Sequence, residues 1–143
     1  MNKLTVSPCE LCDSAGGDTL WQDELCRVVL VEDRDYPGFC RVILNRHVSD
    51  MTDLDAATRQ RLMRVVFATE QALRQLLLPA KINLASLGNM VAHLHWHVIP
   101  RFADDKHFPG SVWSAARRPG APQPVDRAAL QRTLHNLLQA VAE

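Results

Sequence analysis

Three histidines on alternate residues constrain this chain more than any other feature of its sequence. His93, His95 and His97 are each separated from the next by one apolar residue. Because alternate residues of a β-strand project to the same face, this spacing predicts a strand over 93–100 with one imidazole face and one buried apolar face. Imidazoles supply a nucleophile, an acid or base, or a metal ligand near neutral pH. The row is therefore a candidate site rather than the polar decoration of an edge strand.

Composition limits the kinds of partner that the chain can have. The 143 residues are 47% hydrophobic, which predicts one domain, 1–143, with a core of its own. Formal net charge is zero, so the chain has no basic footprint for nucleic acid. No apolar run approaches the roughly 20 residues of a membrane span, and no apolar signal-peptide region follows Met1. We expect a cytoplasmic protein with neither a membrane nor a nucleic-acid partner.

The order of the predicted elements indicates a fold class. Strands are predicted over 25–32, 39–45, 81–86 and 93–100, and residues 16–22 read as a turn that leads into the first. A capping box of Thr52 and Asp55 predicts a helix that runs to about Leu77, and leucines at helical spacing predict another over 126–142. This order favours an α+β fold with an antiparallel sheet of about five strands, one long central helix and a C-terminal helix.

The segment from His93 to Ile99 resembles the signature of the histidine triad (HIT) superfamily of nucleotide hydrolases and transferases, in which three histidines alternate with apolar residues. Neighbouring motifs are similar too: Tyr36-Pro37-Gly38 before a strand, Asn45-Arg46-His47-Val48 at its end, and Gly88 before the triad. The resemblance covers about residues 9–101 and leaves 102–143 as a loop and the last helix. The stretch from Arg101 to Trp113 resembles a bacterial, diadenosine-polyphosphate-hydrolase-like branch.

The resemblance implies a role for each residue of the site. His95 would attack the α-phosphorus of a nucleotide and form a nucleotidyl-histidine, while His97 would contact the α-phosphate and assist the leaving group. His93 completes the catalytic triad. The nucleotide-binding residues would be Asn83, Gly88, Asn89 and Met90. The substrates implied are purine nucleotides, either dinucleoside polyphosphates or nucleoside phosphoramidates, and the resemblance also implies a homodimer.

Three residues depart from the family pattern and keep other functions open. Many members have a histidine where this chain has Phe39, a glutamine in place of Asn89, and a hydroxyl residue in place of Met90. These differences favour, modestly, a catalytically weak nucleotide-binding or interaction protein of the same fold. A His-x-His metallohydrolase or cupin centre is a third alternative, but it needs a further ligand cluster that the sequence lacks.

Two cysteines near the N-terminus form a Cys-x-x-C motif, Cys9 and Cys12, which is ambiguous between a metal site, a redox pair and free thiols. The resemblance implies a structural zinc held by both cysteines together with His47 and His93, and Cys2His2 is a typical closed tetrahedral zinc set. No organic cofactor is expected.

Several polar residues of the C-terminal part are assigned to the surface. We expect the paired acids Asp104 and Asp105 to face water, Arg117 and Arg118 to be solvated beside Trp113, and two histidines to be exposed without a role: His107 and His135.

Overall fold

The computed structural model describes residues 8–142 and shows an antiparallel five-stranded sheet with the two long helices on one face. The strands are β1 (Asp18–Gln22), β2 (Cys26–Leu30), β3 (Cys40–Leu44), β4 (Lys81–Ala85) and β5 (His95–Arg101). The helices are α1 (Glu10–Asp13), α2 (Ala56–Leu77) and α3 (Arg127–Ala142). The strands follow the order β1-β2-β3-β5-β4, and every neighbouring pair is antiparallel. The predicted α+β class, with one long helix and a C-terminal helix, is confirmed.

The two faces of the sheet differ sharply in composition. On the helix face, alternate residues such as Val28, Val42 and Val98 are completely buried and pack with Leu62 and Leu130 in the main core. This burial explains the apolar alternation, because α2 and α3 each present a leucine-rich stripe to the strands. The opposite face, called the histidine face below, carries His95 and His97.

Two smaller apolar clusters cover the ends of the histidine face. One contains Leu11, Val29 and Ile43 and lies beneath the segment that includes α1. The other contains Tyr36, Phe39 and Ile99 beneath the long segment that follows β5. The polar residues of the histidine face thus lie between two covered regions.

The start of the long helix differs from the prediction. Thr52 belongs to a separate 3₁₀ turn, Met51–Asp53, whose capping box is made by Asp50 and Asp53. Helix α2 begins after Asp55, whose carboxylate accepts a hydrogen bond of 2.8 Å from the amide of Thr58. An Asp at the N-cap satisfies a free amide of the first turn, so the cap lies three residues later than predicted.

Two strand predictions were also wrong at their edges. Residues 18–22 form β1 rather than a turn, because they pair with β2 along its outer edge. The last strand begins at His95 and not at His93, so the three histidines do not share one regular strand. The amide of Leu94 donates to the carbonyl of Val48, outside the sheet ladder, which turns His93 away from the strand.

None of the described helices is both long and apolar enough to span a bilayer. The expectation about a signal peptide concerns mainly residues 1–7, which lie outside the described range.

Candidate active site

Strand β5 presents two histidines side by side at the centre of the histidine face. The rings of His95 and His97 lie 4.9 Å apart, nearly perpendicular to one another. Each side chain retains less than a tenth of its full exposure. Residues i and i+2 of a strand share a face, so the pair follows directly from the spacing in the sequence.

The tautomer of His95 is fixed by a backbone carbonyl. Its Nδ1 lies 2.6 Å from the carbonyl oxygen of His93. A carbonyl oxygen only accepts, so Nδ1 carries the proton and donates it to this bond. The other nitrogen, Nε2, therefore keeps its lone pair. A neutral imidazole oriented in this way is a competent nucleophile.

His97 is a neutral ring with an unsatisfied nitrogen. Burial, together with the nearby charges of His95 and Arg41, lowers its pKa to about 4. Its Nδ1 is buried and has no hydrogen-bond partner among residues 8–142. The ring centre of Phe39 lies 5.7 Å from that of His97, and the ring centre of Trp113 lies 5.1 Å from it. Two aromatic side chains thus enclose His97.

Four side chains near the N-terminal segment form a compact cluster of metal-ligating atoms. The ligand atoms of Cys9, Cys12, His47 and His93 all lie within 4.8 Å of one another. Nδ1 of His93 lies 3.3 Å from Sγ of Cys9 and 3.4 Å from Sγ of Cys12, and Nδ1 of His47 lies 3.4 Å from the latter. Sulfur and nitrogen ligands of a tetrahedral zinc are about 3.6 Å apart, given the usual bond lengths. The four residues therefore fit a zinc ion.

The surroundings of His93 suit a metal ligand. Its Nε2 lies 2.5 Å from the carbonyl oxygen of Leu44, which accepts the Nε2 proton and leaves Nδ1 to face the thiols. Such an outer contact fixes the tautomer and the orientation of a histidine ligand. Arg27 holds the same segment by donating to the carbonyls of Leu11, Ser14 and Ala15.

The residues predicted to bind nucleotide do not all meet at the histidines. Gly88 lines a cleft of about 360 Å³ together with His93 and His95. Asn89 is exposed, and Met90 is 97% exposed and faces a separate cavity beside Cys9. The amide oxygen of Asn83 accepts a hydrogen bond of 2.7 Å from Arg101. Gly88 is thus the member of this set that lines the same cleft as the proposed nucleophile.

The segment after β5 is anchored by a carboxylate that we expected to face water. Asp105 is 5% exposed and accepts hydrogen bonds from Arg101, from Tyr36 and from the amides of Phe102, His107 and Phe108. Burial alone would raise the pKa of Asp105, but these bonds lower it well below its usual range. The prediction was wrong because a pair of acids in a loop was assigned to water, whereas the chain within four residues of Asp105 folds around its carboxylate and supplies most of its donors.

Two other surface assignments also need correction. Nδ1 of His107 lies 2.6 Å from the hydroxyl of Tyr36, and Arg118 donates to the carbonyls of Asp105 and Phe108. His135 is exposed as expected, and its Nε2 lies 3.0 Å from the carbonyl oxygen of Leu20. Asp104 and Arg117 are exposed as expected. The bonded groups fold the segment back over the sheet, which brings Trp113 to His97.

Sequence reasoning missed Arg41, which stands opposite His97 on the neighbouring strand. The two residues are direct partners in the β3–β5 ladder, so their side chains share the histidine face. An arginine on an otherwise apolar strand, two residues after Phe39, was the signal that could have identified it.

Comparison with known proteins agrees with this geometry. The family model described as "HIT domain" matches residues 15–104, which is more than half of the chain. The chain belongs to the HIT family. Comparison with curated proteins finds no match. Family membership supports a nucleotide-binding or hydrolase-type function for this HIT protein.

Solved HIT structures resemble the chain over most of its length. A histidine triad protein from Marinobacter aquaeolei is 28% identical, with a TM-score of 0.71 over 94% of this chain and 96% of that one. One from Bradyrhizobium japonicum is also 28% identical, with a TM-score of 0.65 over 85% and 90%. A zinc-bound histidine triad family protein from Mycobacterium smegmatis is 25% identical, with a TM-score of 0.59 over 94% and 95%.

Proposed function

We propose that the protein is a nucleotide hydrolase or nucleotidyltransferase that cleaves at the α-phosphate through a covalent nucleotidyl-His95 intermediate. The substrates are dinucleoside polyphosphates or nucleoside phosphoramidates with a purine base. The observation that carries the proposal is the 2.6 Å contact of His95 Nδ1 with the carbonyl of His93, because it leaves Nε2 with a free lone pair. A histidine held only for packing needs no such orientation.

The first step forms a bond between Nε2 of His95 and the α-phosphorus. The bond from that phosphorus to the leaving group breaks, and the leaving group departs with the electron pair. A polyphosphate departs as an anion, and an amine departs with one proton from water. The carbonyl of His93 stabilises the positive charge that develops on the His95 ring, since it accepts the Nδ1 proton in a charge-assisted bond.

The second step restores the enzyme. Water adds to the phosphorus and gives its proton to solvent, the bond from phosphorus to Nε2 breaks, and its electron pair returns to His95. The nucleoside monophosphate leaves. His97 contacts the α-phosphate throughout, and its low pKa keeps the ring uncharged at neutral pH. Gly88 lies in the same cleft as His95, where its amide would face the developing charge.

The test is release of AMP from diadenosine tetraphosphate and from adenosine 5′-phosphoramidate. We expect turnover by the wild-type protein and a rate at least about 10³-fold lower for His95→Ala. His135→Ala is the matched control, because that ring lies on α3 and contacts a backbone carbonyl. Wild-type protein that binds AMP but releases none from either substrate would instead identify a nucleotide-binding protein without catalysis.

We propose, second, that Cys9, Cys12, His47 and His93 hold a structural zinc. The support is the donor set and its spacing, together with the carbonyl that orients His93. The ion would join the segment of α1 to the residues before β5. It would thereby hold in place the segment that lies over one end of the histidine face. Zinc analysis of the purified protein should give one equivalent per chain.

We propose, third, that two chains pair through the outer edge of β4. This strand is the last of the sheet order and its outer edge is unpaired among the described residues. Phe67 on the adjacent α2 is 53% exposed, and an exposed edge beside an apolar side chain favours a two-fold pairing. Sedimentation should give twice the mass of one chain. We also propose that the protein is cytoplasmic, because its four cysteines form no disulfide within residues 8–142.

A further inference from the structure

One edge of the Arg41 guanidinium has no hydrogen-bond partner among residues 8–142. Its Nη1 donates to the carbonyl of Gly16 at 3.2 Å. Its Nε is buried and has no partner. Nη2 also makes no hydrogen bond within residues 8–142. The guanidinium therefore offers Nε and Nη2 together as a free fork.

Other arginines of the chain show what this edge binds. Arg101 uses Nε and Nη2 to hold both carboxylate oxygens of Asp105. Arg127 uses the same two nitrogens on Asp18. A carboxylate and a phosphate present the same pair of oxygens, so both accept a bidentate fork. No ion pair within the described range includes Arg41, and the fork therefore suits an anion from outside the chain.

The position of Arg41 would place that anion next to the proposed nucleophile, His95. Arg41 pairs with His97 across β3 and β5, and His97 lies beside His95 on the same strand. The Nδ1 atom of His97 is the other unsatisfied buried atom of the histidine face. Two neighbouring polar groups, one a cation, thus lack partners next to the proposed nucleophile. Unsatisfied groups are expected where a ligand supplies the partner.

We propose that Arg41 binds the phosphate of the leaving group and selects substrates whose leaving group is anionic over those that release a neutral amine. This inference rests on the proposed function. The Nε–H and Nη2–H groups of the fork donate to two oxygens of the phosphate beyond the scissile bond, while His95 and His97 contact the α-phosphate. A neutral amine offers no such oxygens, so Arg41 gives it no stabilisation.

The test compares kcat/KM for diadenosine tetraphosphate with kcat/KM for adenosine 5′-phosphoramidate. In Arg41→Leu, we expect the ratio of the two constants to fall about 30-fold, as the loss of a charge-assisted bidentate contact predicts. Arg41→Lys keeps the charge without the fork, so its ratio should lie between the wild-type ratio and the Arg41→Leu ratio. Arg132→Leu, at an exposed position on α3, is the matched control with an unchanged ratio. An unchanged ratio in Arg41→Leu, whether both constants fall or neither does, would overturn the proposal.

Binding of inorganic tripolyphosphate separates this inference from the proposed function. By calorimetry, wild-type protein should bind it at least tenfold more tightly than Arg41→Leu, whose folding is checked by circular dichroism. If Arg41→Leu does not fold, Arg41→Lys takes its place and should show the same direction of change. A wild-type protein that releases no AMP yet shows this difference would contradict the hydrolase proposal and support the role of Arg41. Equal tripolyphosphate affinity in wild type and variant would overturn the role of Arg41.

Discussion

The two ends of the histidine row have opposite relations to the rest of the protein. At the His93 end, both ring nitrogens have partners within the chain, a carbonyl oxygen and two thiols, and the ring is fully buried. At the His97 end, the ring has an unsatisfied nitrogen, an arginine with a free edge and a half-exposed tryptophan as neighbours. Groups that the chain itself satisfies stabilise the fold, whereas groups left without partners are available to a substrate.

The largest expected difference between the two ends is in catalysis. His97→Ala should lower kcat about 10²- to 10³-fold, because it removes the group beside the nucleophile that contacts the α-phosphate in the transition state. The zinc content should stay at the wild-type value, since none of the proposed ligands is changed. Steady-state kinetics and metal analysis of the same preparation check both statements. A loss of zinc in this variant would mean that the two ends are not separate.

The reciprocal change affects stability. Cys9→Ser combined with Cys12→Ser should remove the zinc and lower the free energy of unfolding by about 2.7 kcal/mol, if free zinc is a hundredfold above its dissociation constant. The melting temperature should fall by roughly 5–10 °C. Cys26→Ala, which removes a buried thiol away from the cluster, controls for the loss of a sulfur. Unchanged zinc content and unchanged melting in the double variant would end the zinc proposal.

Acid should weaken the fold through the His97 end. The folded pKa of about 4 lies below the usual value of 6.5, so between these pH values the unfolded chain binds more protons than the native one. The contribution of His97 is therefore complete above pH 6.5 and is lost as the pH falls toward 4. The loss should be on the order of 1–3 kcal/mol.

Denaturant titrations from pH 7 to pH 4 measure this effect. His97→Asn should show a smaller loss of stability over the same range, and the difference between the two curves belongs to His97. The charged or titratable neighbours His95 and Arg41 are present in both proteins. Identical pH dependence in variant and wild type would show that His97 is not held neutral by burial.

The smallest expected effect concerns Trp113. Its ring meets that of His97 at 5.1 Å, and an aromatic contact of this kind contributes about 0.5–1.5 kcal/mol. Trp113→Ala should therefore lower kcat/KM about 3- to 10-fold, while Trp113→Phe keeps most of the activity. Kinetics of both variants with one substrate are sufficient. Equal losses in the two variants would indicate that the aromatic contact with His97 is not what Trp113 supplies.

The parts of the fold that local patterns encode were predictable from the sequence. Period-two alternation gave the strand that carries His95 and His97, and leucines at helical spacing gave α3. The start of α2 was misplaced because two acidic residues, Asp53 and Asp55, each satisfy capping requirements within three positions. Strand β1 was missed because its pairing with β2, and not its own composition, makes it a strand.

The site was predictable in its centre and not at its margins. The pair His95 and His97 follows from spacing, and the cluster with Cys9 followed from the family resemblance. The contact of Trp113 with His97 depends on the buried pair of Arg101 and Asp105, which folds the segment back. The role of Arg41 could not be predicted for a similar reason, because only the β3–β5 register places it opposite His97.

Native mass spectrometry of wild type and His95→Ala, each mixed briefly with diadenosine tetraphosphate, tests the division between the two ends most directly. We predict that wild-type protein gains the mass of one adenylyl group and retains one zinc, whereas His95→Ala retains the zinc and gains nothing. An adenylyl group on His95→Ala, or a wild-type protein that carries zinc but never an adduct, would contradict the assignment of His95 as nucleophile.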